Sequence, residues 1–585
     1  MNTFFKVFFG CLLAIIVAGI LAIIVLFGMA ASLTASEKPV VQDKSILYID
    51  LSQPVLEQGR EEDLNLNTLS LDKIAGLHDM IEAVRYAISD SSIKALYLLA
   101  RGNSMGMAAS QEFGAVVDSF RASGKPVVAY ADIMPQRAYE IAHRASHVYG
   151  QPGGAIEWVG YHIDVMFFKN LLDKLEVKPE IFYAGQFKSA TEPFRLTKMS
   201  DANRLQYSAF LQSIYSSNLQ SVSRHRNIDT ALLSGWANSL AVNTSEQAFA
   251  HGMLDGVLYE DQVRDTLRKL SGIKMADDLR IVKIADYIEA VKAVGSGDRV
   301  AVVYADGNII GGTSSDGTEI ASDDFRALLA KLRRDDKVKA VVMRINSPGG
   351  SAIASEIIWR ELELIKKDKP LVVSMGDYAA SGGYYIACGA DSIFAQPNTL
   401  TGSIGVFTML VDLQKMLNNK LGITFDGVST NTYSDYGNVT RPMTAFERTV
   451  TQREVDTIYN IFKSRVVAGR KLSGAAVDSI AQGRVWSGTD ALKIGLVDRM
   501  GGLQEAIDCA ARMAKLKKFN TRFYPDRPSL MEQLLGNRED PNTSEIKLPG
   551  RQLTPQHAAL IREYRMIQNL ANHPQARLPF VLQLR

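Results

Sequence analysis

Only three cysteines occur in the 585-residue chain, Cys11, Cys388 and Cys509, and they are too far apart for a disulfide framework or a CxxC metal site. Stability must therefore come from packed cores, and the length suffices for two or three of them. Histidine is nearly as sparse. Of the eight, His78, His143, His147, His162, His225 and His251 lie in the first half, His557 and His573 lie near the end, and none falls between 252 and 556. There is no HExxH pair and no GxxxxGK[ST] loop, so neither a zinc hydrolase helix nor a phosphate-binding loop is implied. No cofactor and no metal are expected. Charge of one sign is also missing, because 65 Lys and Arg against 63 Asp and Glu give a net charge of +2. That near-neutrality argues against a nucleic-acid partner.

One absence is local. From Val7 to Thr34 there is no charged residue, and this run is long enough to span a bilayer as a helix. It is too long for the apolar core of a cleavable signal peptide, so residues 1–36 are expected to be an uncleaved membrane anchor. Lys6 and the amino terminus carry the only positive charge ahead of it, which directs everything after the anchor to the far side of the membrane.

Beyond a polar linker, strands and amphipathic helices alternate. SILYIDLS (45–52), IKALYLLA (93–100) and KPVVAYAD (125–132) read as strands, with helices over 71–89 and 110–123 between them. The order then recurs. RVAVVYADG (299–307), VKAVVMRI (338–345) and KPLVVSMGD (369–377) are strands, and 323–334 and 354–367 are helices. An offset of 245 pairs Lys94 with Lys339, Asp132 with Asp377, Ile141 with Ile386 and Gln151 with Gln396, with a one-residue slip at Lys125 and Lys369. Such self-similarity marks an internal duplication. The fold class is α/β: two tandem domains, over 45–290 and 297–515, each with a largely parallel sheet, and an extension over 516–585.

The copies differ where chemistry would sit. In GDYAASGGYYIACGADSIFAQP (376–397), Ser381 stands at a strand-to-helix turn, followed by two glycines that admit close backbone approach. The first copy has Gln136 in that register, and Trp158 in the register of Ser403. The NSPGGS loop (346–351) puts Pro348, Gly349 and Gly350 at another strand end, where the first copy reads RGNSMG (101–106). Two loops at the carboxyl ends of strands in one parallel sheet lie on the same edge, where ligands bind. The first copy alone carries YAGQFKSATEPF (183–194), with Lys188 at its centre.

Taken together, the apolar segment, the tandem domains, GQFKSATEPF, NSPGGS, DYAASGGYYIA and TGSIGVF resemble the signal peptide peptidase A (protease IV) family in its long, duplicated form. The NSPGG loop is also similar to that of the Clp protease branch of the crotonase-like superfamily. The resemblance implies tandem crotonase/Clp-protease-like domains and a membrane-anchored serine endopeptidase that degrades apolar peptides such as signal peptide remnants. Ser381 would be the nucleophile, Lys188 the general base supplied by the other repeat, and Ser403 a residue that hydrogen-bonds the lysine. Backbone N–H groups of Gly382 and of the Gly349–Gly350 turn would form the oxyanion hole. The family's habit implies homotetramers with active sites on the periplasmic side of the inner membrane.

A lysine can serve as base only when neutral. With a reference pKa near 10.4, holding it so at pH 7 costs about 4.6 kcal/mol, which burial must remove. Lys188 is therefore expected to be buried, to lack an acidic partner such as Glu192, and to reach both serines. Two rivals share the features in part. An acyl-CoA enzyme of the crotonase type explains the loop glycines but leaves Ser381 and Lys188 idle, and a non-catalytic oligomeric peptide-binding scaffold predicts an inert Ser381.

Overall fold

The computed structural model describes residues 39–65, 70–291, 297–314, 317–526 and 575–577, together with positions 8, 10 and 17–19. The expected anchor therefore falls almost wholly outside the described residues. Among the described residues no helix is long and apolar enough to cross a membrane.

Each repeat builds a parallel sheet from its most apolar segments. In the first, the strands run in the order Gly256–Val257, His147–Ile156, Val127–Met134, Ile93–Leu99, Ser45–Asp50, Ile281–Lys283. In the second, the corresponding order is Arg499–Met500, Ser392–Ala395, Leu371–Ala380, Val338–Ser347, Arg299–Asp306, Asn520–Tyr524. The two orders match strand for strand. Asn520–Tyr524, in the expected extension, holds the edge position that Ile281–Lys283 holds in the first sheet, so the second sheet reaches past residue 515. The central strands are buried on both faces, which is why they read as Val, Ile and Ala runs rather than alternations.

The helix expected over 71–89 departs furthest from its span, while that expected over 110–123 runs from Met107 to Ala122. The former begins at Leu77 instead of 71, because Ser70–Ile74 pairs antiparallel with Arg60–Asn65 as a hairpin. Gly76, extended at φ −79° and ψ 145°, bridges to Leu56 and separates the two elements. The two 26-residue helices, Asp201–Arg226 and Ala445–Arg470, are started by Ser200 and Thr444, whose hydroxyls accept from the backbone N–H three residues on.

The repeats are joined through buried polar contacts. Arg344, on the strand Val338–Ser347, donates from Nε to Glu57 at 2.7 Å, and its Nη2 lies 2.9 Å from Glu112; both carboxylates belong to the first repeat. Burial opposes the guanidinium charge, and the Glu112 and Glu57 carboxylates overcome it, so its pKa is raised above the ordinary value. Asp377 accepts from the backbone N–H of Ala108 at 2.7 Å, at the start of the first repeat's helix Met107–Ala122. A second joint is a strand exchange. Lys178–Ala184 of the first repeat pairs antiparallel with Val406–Asp412 of the second, in register from Val406 opposite Ala184 to Asp412 opposite Lys178. The chain that leaves this strand carries Lys188 into the second repeat.

Candidate active site

Ser381 directly follows the strand Leu371–Ala380 and precedes the short helix Gly382–Ala387. Its backbone takes φ 55° and ψ −113°, a conformation that L-residues rarely adopt. It is held there from both sides: Ser381 N–H donates to Gly402 O at 2.8 Å, and its carbonyl accepts from Tyr385 N–H at 2.8 Å. A sharp, strained strand-to-helix turn of this kind lifts a side chain off the end of a sheet. The following glycines are steric requirements. A Cβ at Gly383 would lie 2.7 Å from Ser347 O, and one at Gly382 would lie 2.7 Å from Ser355 Oγ and 3.2 Å from Gly350 N.

The NSPGGS segment runs as a short strand over Gly349–Ser351, beside this turn. Gly349 has φ 102°, and a Cβ there would sit 2.8 Å from Gly382 N. Close contact of these backbones brings Gly349, Gly350 and Gly382 together on the same sheet edge as Ser381, with the Gly349 N–H donating to Ser347 Oγ at 3.2 Å.

Lys188 arrives from the first repeat, four residues after its exchanged strand. Its backbone lies against that of the second repeat: a Cβ at Gly483 would fall 2.7 Å from Lys188 N, and one at Gly185 would fall 2.5 Å from Gln482 C. Phe187 N–H donates to Gln482 O at 2.8 Å, and the buried Gln206 amide donates to Phe187 O at 3.1 Å. Held this way, Lys188 Nζ is 2.7 Å from Ser381 Oγ, 3.1 Å from Ser403 Oγ and 3.2 Å from Ser403 O. The lysine is 1% exposed, and burial alone pushes its pKa well below the ordinary 10.5. Glu192 does not pair with it. That carboxylate accepts from Ser200 Oγ at 2.5 Å, Ser200 N–H at 3.1 Å and Asn203 Nδ2 at 2.9 Å.

Ser403 fixes the direction of the amine. Its own hydroxyl donates to Gly483 O at 3.2 Å, so its oxygen is free to accept from Lys188. A neutral amine has two N–H groups and one lone pair. With the N–H groups given to Ser403 Oγ and Ser403 O, the lone pair is left for the Ser381 hydroxyl proton. Ser403 is itself held at φ 48°, with its N–H donating to Arg484 O at 2.7 Å.

All six residues singled out in the sequence, Ser381, Lys188, Ser403, Gly382, Gly349 and Gly350, thus meet in one place. Sequence reasoning missed the clamp that seats the lysine, made by Gly185, Gln206 and Gln482–Gly483. The nearest signal for it was the paired glycines in AGQF and AQGR.

The model of the family described as peptidase family S49 matches residues 119–274 and 363–517, one segment in each repeat, and that of Clp protease matches 297–401. The chain is 34% identical over 470 residues to "Protease 4" of Salmonella typhi, covering 78% of this chain and 75% of that one. It is 34% identical over 510 residues to "Protease 4" of Haemophilus influenzae, covering 82% of both chains. To "Serine protease SPPA, chloroplastic" of Arabidopsis thaliana it is 31% identical over 453 residues, 76% of this chain and 67% of the plant protein.

Proposed function

The chain belongs to peptidase family S49 and is a serine peptidase; on that premise, we propose that it cleaves peptides with a Ser381/Lys188 dyad divided between its two repeats. The observation that carries this reading is the Lys188 amine, 2.7 Å from Ser381 Oγ, buried, and with no carboxylate among the described residues to keep it charged.

The neutral amine accepts the Ser381 proton as the oxygen attacks the peptide carbonyl. Charge that develops on the carbonyl oxygen is met by the N–H groups of Gly382 and the Gly349–Gly350 strand. Lys188 then returns the proton to the leaving amine, and water hydrolyses the acyl-enzyme by the same route. Ser403 orients the amine throughout. No step requires a cofactor.

The substrates are extended apolar peptides, signal peptide remnants among them, bound as an added strand beside Gly349–Ser351. The apolar N-terminal segment anchors the enzyme in the inner membrane with the active site on the periplasmic side, and the protein works as a homo-oligomer, a tetramer. Intact-mass analysis of the full chain after treatment with a serine-reactive fluorophosphonate tests the dyad. The wild type takes one label, and Ser381→Ala and Lys188→Ala take none; a folded wild type that stays unlabelled contradicts the reading.

A further inference from the structure

Lys188 sits on a segment between the exchanged strand Lys178–Ala184 and a single helical turn over Ser189–Thr191. A lysine has a long flexible stem, so its amine stays beside a serine of the other repeat only where the backbone on both sides of it is fixed. Gln206 supplies that restraint. It is fully buried on the helix Asp201–Arg226, and its amide nitrogen lies 3.1 Å from Phe187 O and 2.8 Å from Ser189 Oγ, the two residues that flank Lys188. Its amide oxygen accepts from Val485 N–H at 3.3 Å, across the boundary between the repeats.

Val485 opens the short strand Val485–Ser487, and the two residues ahead of it seat Ser403. Arg484 O accepts from Ser403 N–H at 2.7 Å, and Gly483 O accepts from the Ser403 hydroxyl at 3.2 Å. One amide therefore meets the lysine segment with its nitrogen and the support of Ser403 with its oxygen. The same helix buries Tyr207, Phe210 and Ile214 in one cluster with Ala380, Leu400 and Val485, and Ala380 immediately precedes Ser381. Asn203, one turn earlier, orients the amide: its Oδ1 accepts from Gln206 at 2.9 Å while its Nδ2 donates to Glu192 at 2.9 Å. The charged side chains bordering this network are Glu192 and Arg484, the latter over the Phe187 ring at 5.4 Å, and neither adds to the effect of burial on the Lys188 amine.

We propose that Gln206 is a positioning residue, which keeps the Lys188 amine in line with Ser381 by tying the lysine segment of the first repeat to the Ser403 support of the second; the inference rests on the peptidase reading above. The seat demands a donor on one side and an acceptor on the other, and a side-chain amide offers both. Fully buried, Gln206 has no surface to give a peptide, so it acts on the alignment of the dyad and not on substrate binding. Methionine fills the same volume with neither function, leaving Phe187 O and Val485 N–H without this partner and the lysine segment free to shift. Glutamate keeps the acceptor for Val485 N–H, loses the donor, and sets a carboxylate beside the lysine segment.

The test compares the full chain as wild type, Gln206→Met and Gln206→Glu, reading melting temperature, kcat and KM for a fluorogenic peptide, and the pH dependence of fluorophosphonate labelling at Ser381. Gln206→Met should lose roughly 10²-fold in kcat, the loss that about 1 Å of misplacement brings, with KM nearly unchanged. Gln206→Glu should move the acid limb of labelling to higher pH, because the added carboxylate favours the charged amine. Folded variants that keep the wild-type kcat and the wild-type limb overturn the inference even where the melting temperature falls, since a glutamine that only packs changes stability alone. Where Gln206→Met does not fold, Gln206→Glu decides, and an unmoved limb counts against the inference. A labelled, active wild type beside unaffected variants leaves the peptidase reading intact, whereas a folded wild type with neither label nor hydrolysis overturns the two together.

Discussion

The two repeats share one strand order, and among the described residues they differ at the strand end where the proposed nucleophile stands. At the end of its third strand the second repeat presents Ser381, with a closely packed glycine pair after it and a lysine within reach. At the same register the first repeat presents Gln136, whose side-chain oxygen accepts from Val159 N–H at 2.9 Å and Gly160 N–H at 2.8 Å. Its amide nitrogen donates to Gly160 O at 3.2 Å. The position is closed on itself. Where Ser403 turns toward the amine, Trp158 is buried and donates to Leu233 O at 2.8 Å. The first repeat has exchanged a site for a packed corner, and it contributes instead the arm that carries Lys188. On the proposed mechanism the duplication divides labour: one copy keeps the nucleophile and the other supplies its base.

That division can be broken from either side. Lys188→Met keeps the volume and removes the proposed base, so hydrolysis of a fluorogenic peptide should fall by roughly 10² to 10⁴. The same variant should resist urea better near neutral pH, because it no longer buries an unpaired amine. The linkage has a definite sign. The folded state lowers the lysine pKa, so between that lowered value and the ordinary 10.5 the unfolded chain holds more protons and wild-type stability rises with pH. Urea midpoints measured across that window should show the slope in wild type and lack its Lys188 share in Lys188→Met.

Damage to the oxyanion donors comes next. Gly382→Ala would set a methyl 2.7 Å from Ser355 Oγ and 3.2 Å from Gly350 N. The resulting shift of the donors should cost about 10² to 10³ in kcat, with a smaller change in KM. Ser403→Ala removes one hydrogen bond that orients the amine while Ser403 O remains. At about 1 kcal/mol for such a bond, turnover should drop by roughly fivefold to tenfold.

The smallest effect sharpens the comparison most. Gln136→Ser places a hydroxyl at the matching register of the first repeat, where no lysine is delivered. Peptide mapping after fluorophosphonate treatment should find label on Ser381 alone. Label at position 136 would mean that the strand end is sufficient and the delivered amine is dispensable.

The strands and their parallel class were legible because buried parallel strands advertise themselves as apolar runs, and the duplication let each run be checked against its partner; their order in the sheet was not read. Ser381, Lys188 and Ser403 stood out because the two copies disagree at those registers. Other features left little local trace. The Arg344 cluster with Glu57 and Glu112 joins residues 287 positions apart in the case of Glu57, and a buried charge cluster has no periodicity to betray it. The hairpin over 60–74 was read partly as helix because Leu71, Ile74 and Leu77 also fit a helical spacing. Gln575–Arg577 is three residues with no alternation, and what makes it a strand is the slot that receives it.

The central claim is that a buried lysine from one repeat activates a serine in the other. The most direct measurement is the rate of fluorophosphonate labelling at Ser381 as a function of pH, in wild type and in Lys188→Met. The account predicts a wild-type rate that falls with acid through a pKa well below the ordinary 10.5, and a slow residual rate without that limb in Lys188→Met. A limb at the ordinary lysine value, or the same profile in both proteins, would contradict it.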